Sequence, residues 1–132
     1  MISIDDFSKV EMRIGKILSV DRVPDTDKLL RLSVDFGLQP SVNASGSPDL
    51  PAEQEGRGEE RDIRQVVSGI AEYFEDPQQL VNKRCPFVTN LEPRTIRGLQ
   101  SQAMIVAVHT PEGAFSILEP TGAEVPPGTK LN

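Results

Sequence analysis

The sequence predicts a small all-β barrel, and three observations lead there. The chain has 132 residues, a length that fits one domain with a single hydrophobic core. Its apolar residues fall in short runs that alternate with period two or are β-branched, the patterns of half-buried and buried strands. Gly, Pro, Asn and Asp separate those runs at short intervals, leaving little room for long helices.

Ile4, Phe7 and Val10 recur three apart, Ser3 stands in the N-cap position, and Asp5 and Asp6 suit the first turn, so a short helix opens the chain. Its one apolar stripe must pack on the core or on a second subunit, and Phe7 and Val10 are the candidate homodimer contacts. Met12 to Val23 reads as the first strand, with Gly15 as a bulge or bend, and Val23 to Lys28 as a turn. Leu29 to Phe36 alternates cleanly, with Leu30, Leu32, Val34 and Phe36 on one face and Leu29, Arg31, Ser33 and Asp35 on the other. Gly37 ends it.

From Leu38 to about Glu60 almost no apolar residue appears. Such a segment buries too little surface to offset its ordering entropy, so a mobile acidic insertion is expected there. Asp62 to Ile70 is the third strand, closing at the Ser68-Gly69 turn. Ala71 to Phe74 reads as a helical turn, and Asp76-Pro77 as N-cap and N1 of a short helix through Val81. Lys83 to Thr89 is the fourth strand, with Cys85, Phe87 and Thr89 on one face; Pro86 assigns it an edge position or a bulge. Asn90 to Gly98 is a turn-rich loop carrying Arg94 and Arg97, held by a buried strand at Ala103 to Val108. Ala114 to Leu118 is one more short strand, and the Pro/Gly-rich Thr121 to Asn132 an ordered tail. Five main strands with a short helix between the third and fourth match the OB-fold, a five-stranded Greek-key barrel used to bind nucleic acids or sugars.

Composition narrows the function. No stretch approaches the roughly 20 apolar residues of a membrane span, and the N-terminus lacks the basic and apolar regions of a secretion signal; a cytoplasmic protein is expected. The single Cys85 cannot form an internal disulfide, and one Cys with the lone His109 does not make a zinc site. No phosphate-binding glycine loop is present. A non-catalytic protein with no cofactor is expected. The net charge of −6 is unevenly spread: Ser41 to Asp62 holds six acids and two bases, so −2 remains for the rest, and a local basic patch is compatible with the total. Arg94 and Arg97 on a strand-anchored loop suit a grip on an anion, or are two solvated surface arginines.

The pieces Ile4-Asp5-Asp6-Phe7, Arg13-Ile14-Gly15, Asp27-Lys28-Leu29-Leu30, Val34-Asp35-Phe36-Gly37, Val67-Ser68-Gly69-Ile70, Asn90-Leu91-Glu92-Pro93-Arg94, Ile96-Arg97-Gly98, Ser101 with Met104, and Pro126-Pro127-Gly128 occur in an order that resembles the tRNA-binding domain family. That family includes the C-terminal domain of bacterial methionyl-tRNA synthetase, free-standing dimeric tRNA-binding proteins and the endothelial-monocyte-activating polypeptide domain. The likeness covers nearly the whole chain outside 38–60. It implies one OB-fold domain over residues 1–132 with a C-terminal extension, often a homodimer. It also implies recognition of tRNA shape, alone or as a trans-acting accessory of an aminoacyl-tRNA synthetase.

The positions matching the family's RNA face are Lys28, Arg31, Ser68, Asn90, Arg94, Arg97, Ser101 and Met104. The cations would neutralise phosphates, Ser and Asn would bond sugar or base edges, and Met104 either packs on a base or is buried; Ser68-Gly69 is a contact or only a turn. Thr95 stands where the family often has a third basic residue, Gln102-Ala103 where it often has Glu-Gly, and Val23 in place of a frequent His; the acidic insertion has no usual counterpart. The alternative the fold implies is a CsaA-type chaperone-like module that binds unfolded polypeptide.

Overall fold

The computed structural model describes residues 1–38, 61–122 and 125–131; the segment expected to be mobile lies, from residue 39 to residue 60, outside them. The ordered elements are α1 (Ile4–Phe7), β1 (Met12–Arg22), β2 (Leu30–Leu38), β3 (Arg61–Ser68), β4 (Arg84–Val88), β5 (Arg94–Ile96), β6 (Leu99–Ser101), β7 (Met104–Ile105), β8 (Ala107–His109) and β9 (Phe115–Ile117), with 3-10 turns at Ala71–Tyr73 and Pro77–Leu80. Five strands form one curled antiparallel sheet in the order β3-β2-β1-β4-β7, a half-barrel of OB-like, all-β architecture. The chain leaves β3 at one edge and re-enters at β4 on the far side of β1, and the 3-10 turns span that crossing. Two hairpins, β5-β6 and β8-β9, complete the molecule.

The alternation in β2 is translated directly: Leu30, Leu32, Val34 and Phe36 are fully buried. Phe36 meets Phe87 of β4 edge-to-face at 5.2 Å between ring centroids. In β1 the bulge lies elsewhere than expected. Gly15 pairs regularly with Cys85, and it is a glycine because a Cβ there would stand 2.5 Å from Val34 and 2.6 Å from Phe36. The register slips instead between Ile17 and Ser19, which turns Leu18 outward and brings Ile14, Ile17 and Val20 into the core at three-residue spacing.

Ser3 caps α1 as expected, its Oγ accepting from Asp6 N at 3.1 Å. The helix is a single turn and buries no residue. Asp76 likewise caps Pro77–Leu80, its Oδ1 accepting from Gln78 N at 3.1 Å, but the turn is 3-10 and its role is to bury Leu80.

Pro86 does not mark a sheet edge, because β4 runs between β1 and β7. Its missing N–H falls where the last strand begins to separate. Val106 N donates to Pro86 O at 3.0 Å, and no bond can return from a proline nitrogen. The run expected as one strand from Ala103 to Val108 is therefore split into β7 and β8, and β8 pairs with β9 instead.

The tail is ordered where it passes β1. Ile14 N donates to Thr129 O at 2.8 Å, Gly128 N to Ile14 O at 2.7 Å, and Leu131 N to Met12 O at 2.9 Å. The tail crosses the end of β2 so closely that a Cβ on Gly128 would lie 2.5 Å from Phe36 O.

One end of the half-barrel is stoppered by charge. Asp62 accepts from Arg64 Nε at 3.0 Å and Nη2 at 3.1 Å, and from Arg13 Nη2 at 3.0 Å. Both guanidiniums lie 5.4 Å from the centre of the Phe36 ring. Burial pushes the Asp62 carboxyl up, but the hydrogen bonds and charges of Arg64 and Arg13 outweigh it and hold the group below its ordinary value.

Two stability predictions follow from these contacts. Gly128→Ala sets a side chain against Phe36 O at a φ of +92° and costs about 2 kcal/mol or more in denaturant unfolding. For Asp62 the folded value lies below the unfolded one, so its contribution is complete above the ordinary aspartate value of 3.8 and is lost as pH falls through the folded value. Asp62→Asn therefore costs about 2–3 kcal/mol at pH 7, where it removes the carboxylate that Arg13 and Arg64 share, and the gap to the wild type narrows toward pH 2. Urea unfolding of both proteins at the two pH values measures it.

Candidate nucleic-acid interface

The stretch read as a loop with two arginines is a hairpin. Arg94 pairs with Ser101, Thr95 with Gln100 and Ile96 with Leu99. Arg97 and Gly98 form the tip with φ of +52° and +80°, the left-handed pair that a two-residue hairpin turn requires. Arg94, Ile96, Leu99 and Ser101 share one face, since directly paired residues point the same way, and that face lies toward the barrel.

Few ladder bonds hold the hairpin to the barrel; side chains do most of it. Gln102 N donates to Gln65 O at 2.8 Å, and Gln65 N donates to Gln102 Oε1 at 2.9 Å. Gln65 Nε2 donates to Gln100 O at 2.8 Å, and Val67 N to Ser101 Oγ at 3.0 Å. Arg64 adds a brace, its Nη1 donating to Thr89 O at 2.7 Å and Gln102 O at 3.2 Å.

This anchoring gathers part of the expected site. Ser68, Arg94, Ser101 and Met104 line one depression, together with Leu91, Glu92 and Ile96. Arg31 registers across the sheet from Val67, whose N–H is the one that Ser101 receives, and Ser101 pairs with Arg94. Arg31 on β2 is thus linked through Val67 and Ser101 to Arg94 on the hairpin. Lys28 lies just beyond β2, where its carbonyl accepts from Ala71 N at 2.9 Å. Arg97 is at the hairpin tip, beyond the depression.

The eight residues are not alike. Arg94, Arg97 and Lys28 are exposed and make no ion pair among the described residues, and the Ser68 hydroxyl has no partner among them. Arg31 is paired, its Nη2 lying 3.3 Å from Asp21 Oδ2. Met104 is half exposed rather than buried. Ser101 is buried, and its hydroxyl is engaged by Val67 N and by Ala103 O at 3.1 Å. Asn90 holds the N-terminal segment, with Nδ2 donating to Lys9 O at 2.6 Å and Oδ1 accepting from Glu11 N at 2.8 Å. The geometry gives Ser101 and Asn90 positions in the frame of the site. Leu91, Glu92 and Ile96, absent from the expected set, line its depression. Alternation on either side of Arg97-Gly98 was the available sign of the hairpin that places Ile96 there.

Elsewhere the chemistry is quiet. Burial pushes the Cys85 thiol up to about 12, the Glu119 charge adding to the effect, so it is a poor nucleophile. His109 Nε2 lies 3.1 Å from Tyr73 Oη on the exposed surface. Among the described residues no cluster of His, Cys, Asp and Glu could hold a metal, and no helix is long and apolar enough to cross a membrane.

Comparison with known proteins agrees with the geometry. A family model described as "Putative tRNA binding domain" matches residues 56–130. The chain is 33% identical over 132 residues to the methionine–tRNA ligase of Flavobacterium psychrophilum, an alignment covering 100% of this chain and 16% of the ligase. It spans about one-sixth of the length of the curated relatives it matches. A MetRS-related protein from Pyrococcus horikoshii superposes with a TM-score of 0.76 at 28% identity, covering 99% of this chain and 97% of that one. The chaperone CsaA of Bacillus anthracis superposes at 0.72 with 23% identity, covering 100% and 99%, a likeness of fold alone.

The buried hydroxyl of Ser101 gives a test that separates frame from contact. Ser101→Ala leaves Val67 N without its partner and lowers unfolding stability by about 1–2 kcal/mol, measured by thermal or urea denaturation of the protein without ligand. An unchanged stability would return Ser101 to the solvent-facing set.

Proposed function

The chain belongs to the tRNA-binding domain family, and on that premise we propose that it binds tRNA without catalysing a reaction, through the face built on β2, β3 and the β5-β6 hairpin. The observation that carries this reading is the state of Arg94 and Arg97: two exposed cations, unpaired among the described residues, on a hairpin fastened to the sheet. A phosphate backbone supplies the counter-charge they lack, and Lys28 and Arg31 extend the same side. With no Trp in the chain and one Tyr, the face has little to stack single-stranded bases on, which favours recognition chiefly through the shape and backbone of a folded RNA. The protein acts in the cytoplasm, alone or as an accessory that strengthens a synthetase's hold on tRNA.

We also propose a homodimer through α1. Ile4, Phe7 and Val10 expose their apolar stripe, at 75%, 41% and 42% of their surface, and a one-turn helix with nothing beneath it gains stability from a second copy. The CsaA-type alternative, binding of unfolded polypeptide, fits the net acidity but leaves the unpaired arginines without a purpose.

Binding to folded tRNA should weaken steeply with salt, and Arg94→Ala and Arg97→Ala should each lower affinity several-fold and flatten the log–log salt slope by about 0.7–0.9 per lost phosphate contact. Salt-insensitive binding of an unfolded peptide with no tRNA affinity would establish the alternative instead. For the dimer, sedimentation of Phe7→Asp should show a monomer; a variant that remains dimeric excludes α1 as the contact.

A further inference from the structure

Arg64 is not among the eight positions expected to meet RNA, yet its guanidinium touches both ends of the segment that carries Arg94 and Arg97. Its Nη1 donates to Thr89 O at 2.7 Å, just before that segment starts at Asn90, and to Gln102 O at 3.2 Å, just after β6 ends at Ser101. Its Nε and Nη2 donate to the two oxygens of Asp62 at 3.0 and 3.1 Å. Four of the five N–H groups of a planar, rigid fork are thus engaged. The carboxylate fixes the plane of the fork, and that plane aims Nη1 at the two carbonyls. Arg13 Nη2 holds the same Asp62 Oδ2 at 3.0 Å, and the Phe36 ring centre lies 5.4 Å from the Arg64 guanidinium.

The two legs of the hairpin depend on Arg64 unequally. The returning leg is also bonded to β3 through Gln102 and Ser101. On the entering leg, Leu91, Glu92 and Pro93 make no backbone hydrogen bond among the described residues. That leg is tied to residues 9–11 at Thr89 and Asn90, and Arg64 is its tie to β3. Resting on the tRNA-binding reading above, we infer that Arg64 is a positioning residue for RNA. It clasps both feet of the β5-β6 hairpin and so sets where Arg94 and Arg97 stand, without meeting a phosphate itself. Its side chain is 22% exposed and its charge is already matched by Asp62, which leaves little for a phosphate to gain. Lysine carries its donors on one nitrogen, which cannot face a carboxylate with two parallel bonds and reach two carbonyls beyond it. Arg64→Lys therefore keeps the charge beside Asp62 and loses the clasp.

The test uses the full chain and a folded tRNA across a salt series. Arg64→Lys should weaken binding about three- to tenfold while the log–log salt slope keeps its wild-type value, since no phosphate contact is lost. Arg64→Met, which removes the charge and leaves Asp62 to Arg13, should do the same. In a chain already carrying Arg94→Ala and Arg97→Ala, Arg64→Lys should change affinity by less than about twofold, because the cations it positions are gone. In the protein without RNA, the ladder amides of β5-β6 should exchange with solvent faster in Arg64→Lys, while Leu32 and Val34 in β2 keep their wild-type rates. If Arg64→Lys binds as the wild type does, or Arg64→Met flattens the salt slope by about 0.7–0.9, Arg64 acts through its charge and the clasp is refuted. Unchanged ladder exchange, or an equal loss of affinity with the hairpin arginines absent, refutes it as well. If the wild type binds no tRNA, the tRNA reading falls, and amide exchange alone decides whether Arg64 holds the hairpin.

Discussion

The β3 edge is the constraint on which the site depends. A strand at a sheet edge presents a row of N–H and C=O groups that must find partners. On β3 the edge-facing Gln65 and Val67 are answered by residues 100–102, through the Gln65–Gln102 pair and the Ser101 hydroxyl. Side chains therefore do at this edge what a sixth strand would do. Because the answering residues continue directly into β6, satisfying the edge also fixes the hairpin that carries Arg94 and Arg97. The same few bonds serve folding and site geometry, so the two cannot vary independently.

How an acidic chain presents free cations follows from where its acids sit. Asp62 holds Arg13 and Arg64 at the barrel end, and Asp35 holds Arg61 at 2.8 Å. Those arginines are structural: their charges are matched at contact distance and two of them lie on the Phe36 ring. Asp21 matches Arg31 at the surface, a pair worth little in water and easily exchanged for a phosphate. The hairpin cations are left unmatched among the described residues. Exposed charges more than about 8 Å apart are largely screened at physiological salt, so the total of −6 says little about the field at the hairpin.

Strand identity was legible wherever burial imposes a strict period. Leu30 to Phe36 could be read without ambiguity because each alternate residue is enclosed on the same side. The caps at Ser3 and Asp76 were legible because their geometry is local. The β1 bulge was not, since the spacing of Ile14, Ile17 and Val20 is set by what β2 offers opposite, and Gly15 is small on account of Val34 and Phe36, residues distant in sequence. The split between β7 and β8 depends on Pro86, read correctly as a disruption but of the neighbouring strand's pairing rather than of its own strand's position. At the site, residue types suggested which side chains could meet RNA, yet type cannot distinguish a hydroxyl that faces solvent from one that closes a sheet edge. Ser68 and Ser101 are chemically the same and do different things because only one of them stands opposite Val67 N.

Placing Arg97 at a left-handed position in a two-residue turn has an energetic consequence. A flexible loop would lose backbone entropy each time it closed on a ligand, about 1–2 kcal/mol for every residue it had to fix. The hairpin has met that cost on folding, because Ile96 and Leu99 pair across the turn and Ser101 is bound to β3. Only the arginine side chains remain to be ordered, which costs less, and the two backbone positions that carry the charges keep a fixed distance. Such a fixed spacing favours ligands whose own charges are held rigidly apart. A folded RNA meets that condition and an unfolded polypeptide does not, so the rigidity of the hairpin, as much as its charge, argues for the RNA.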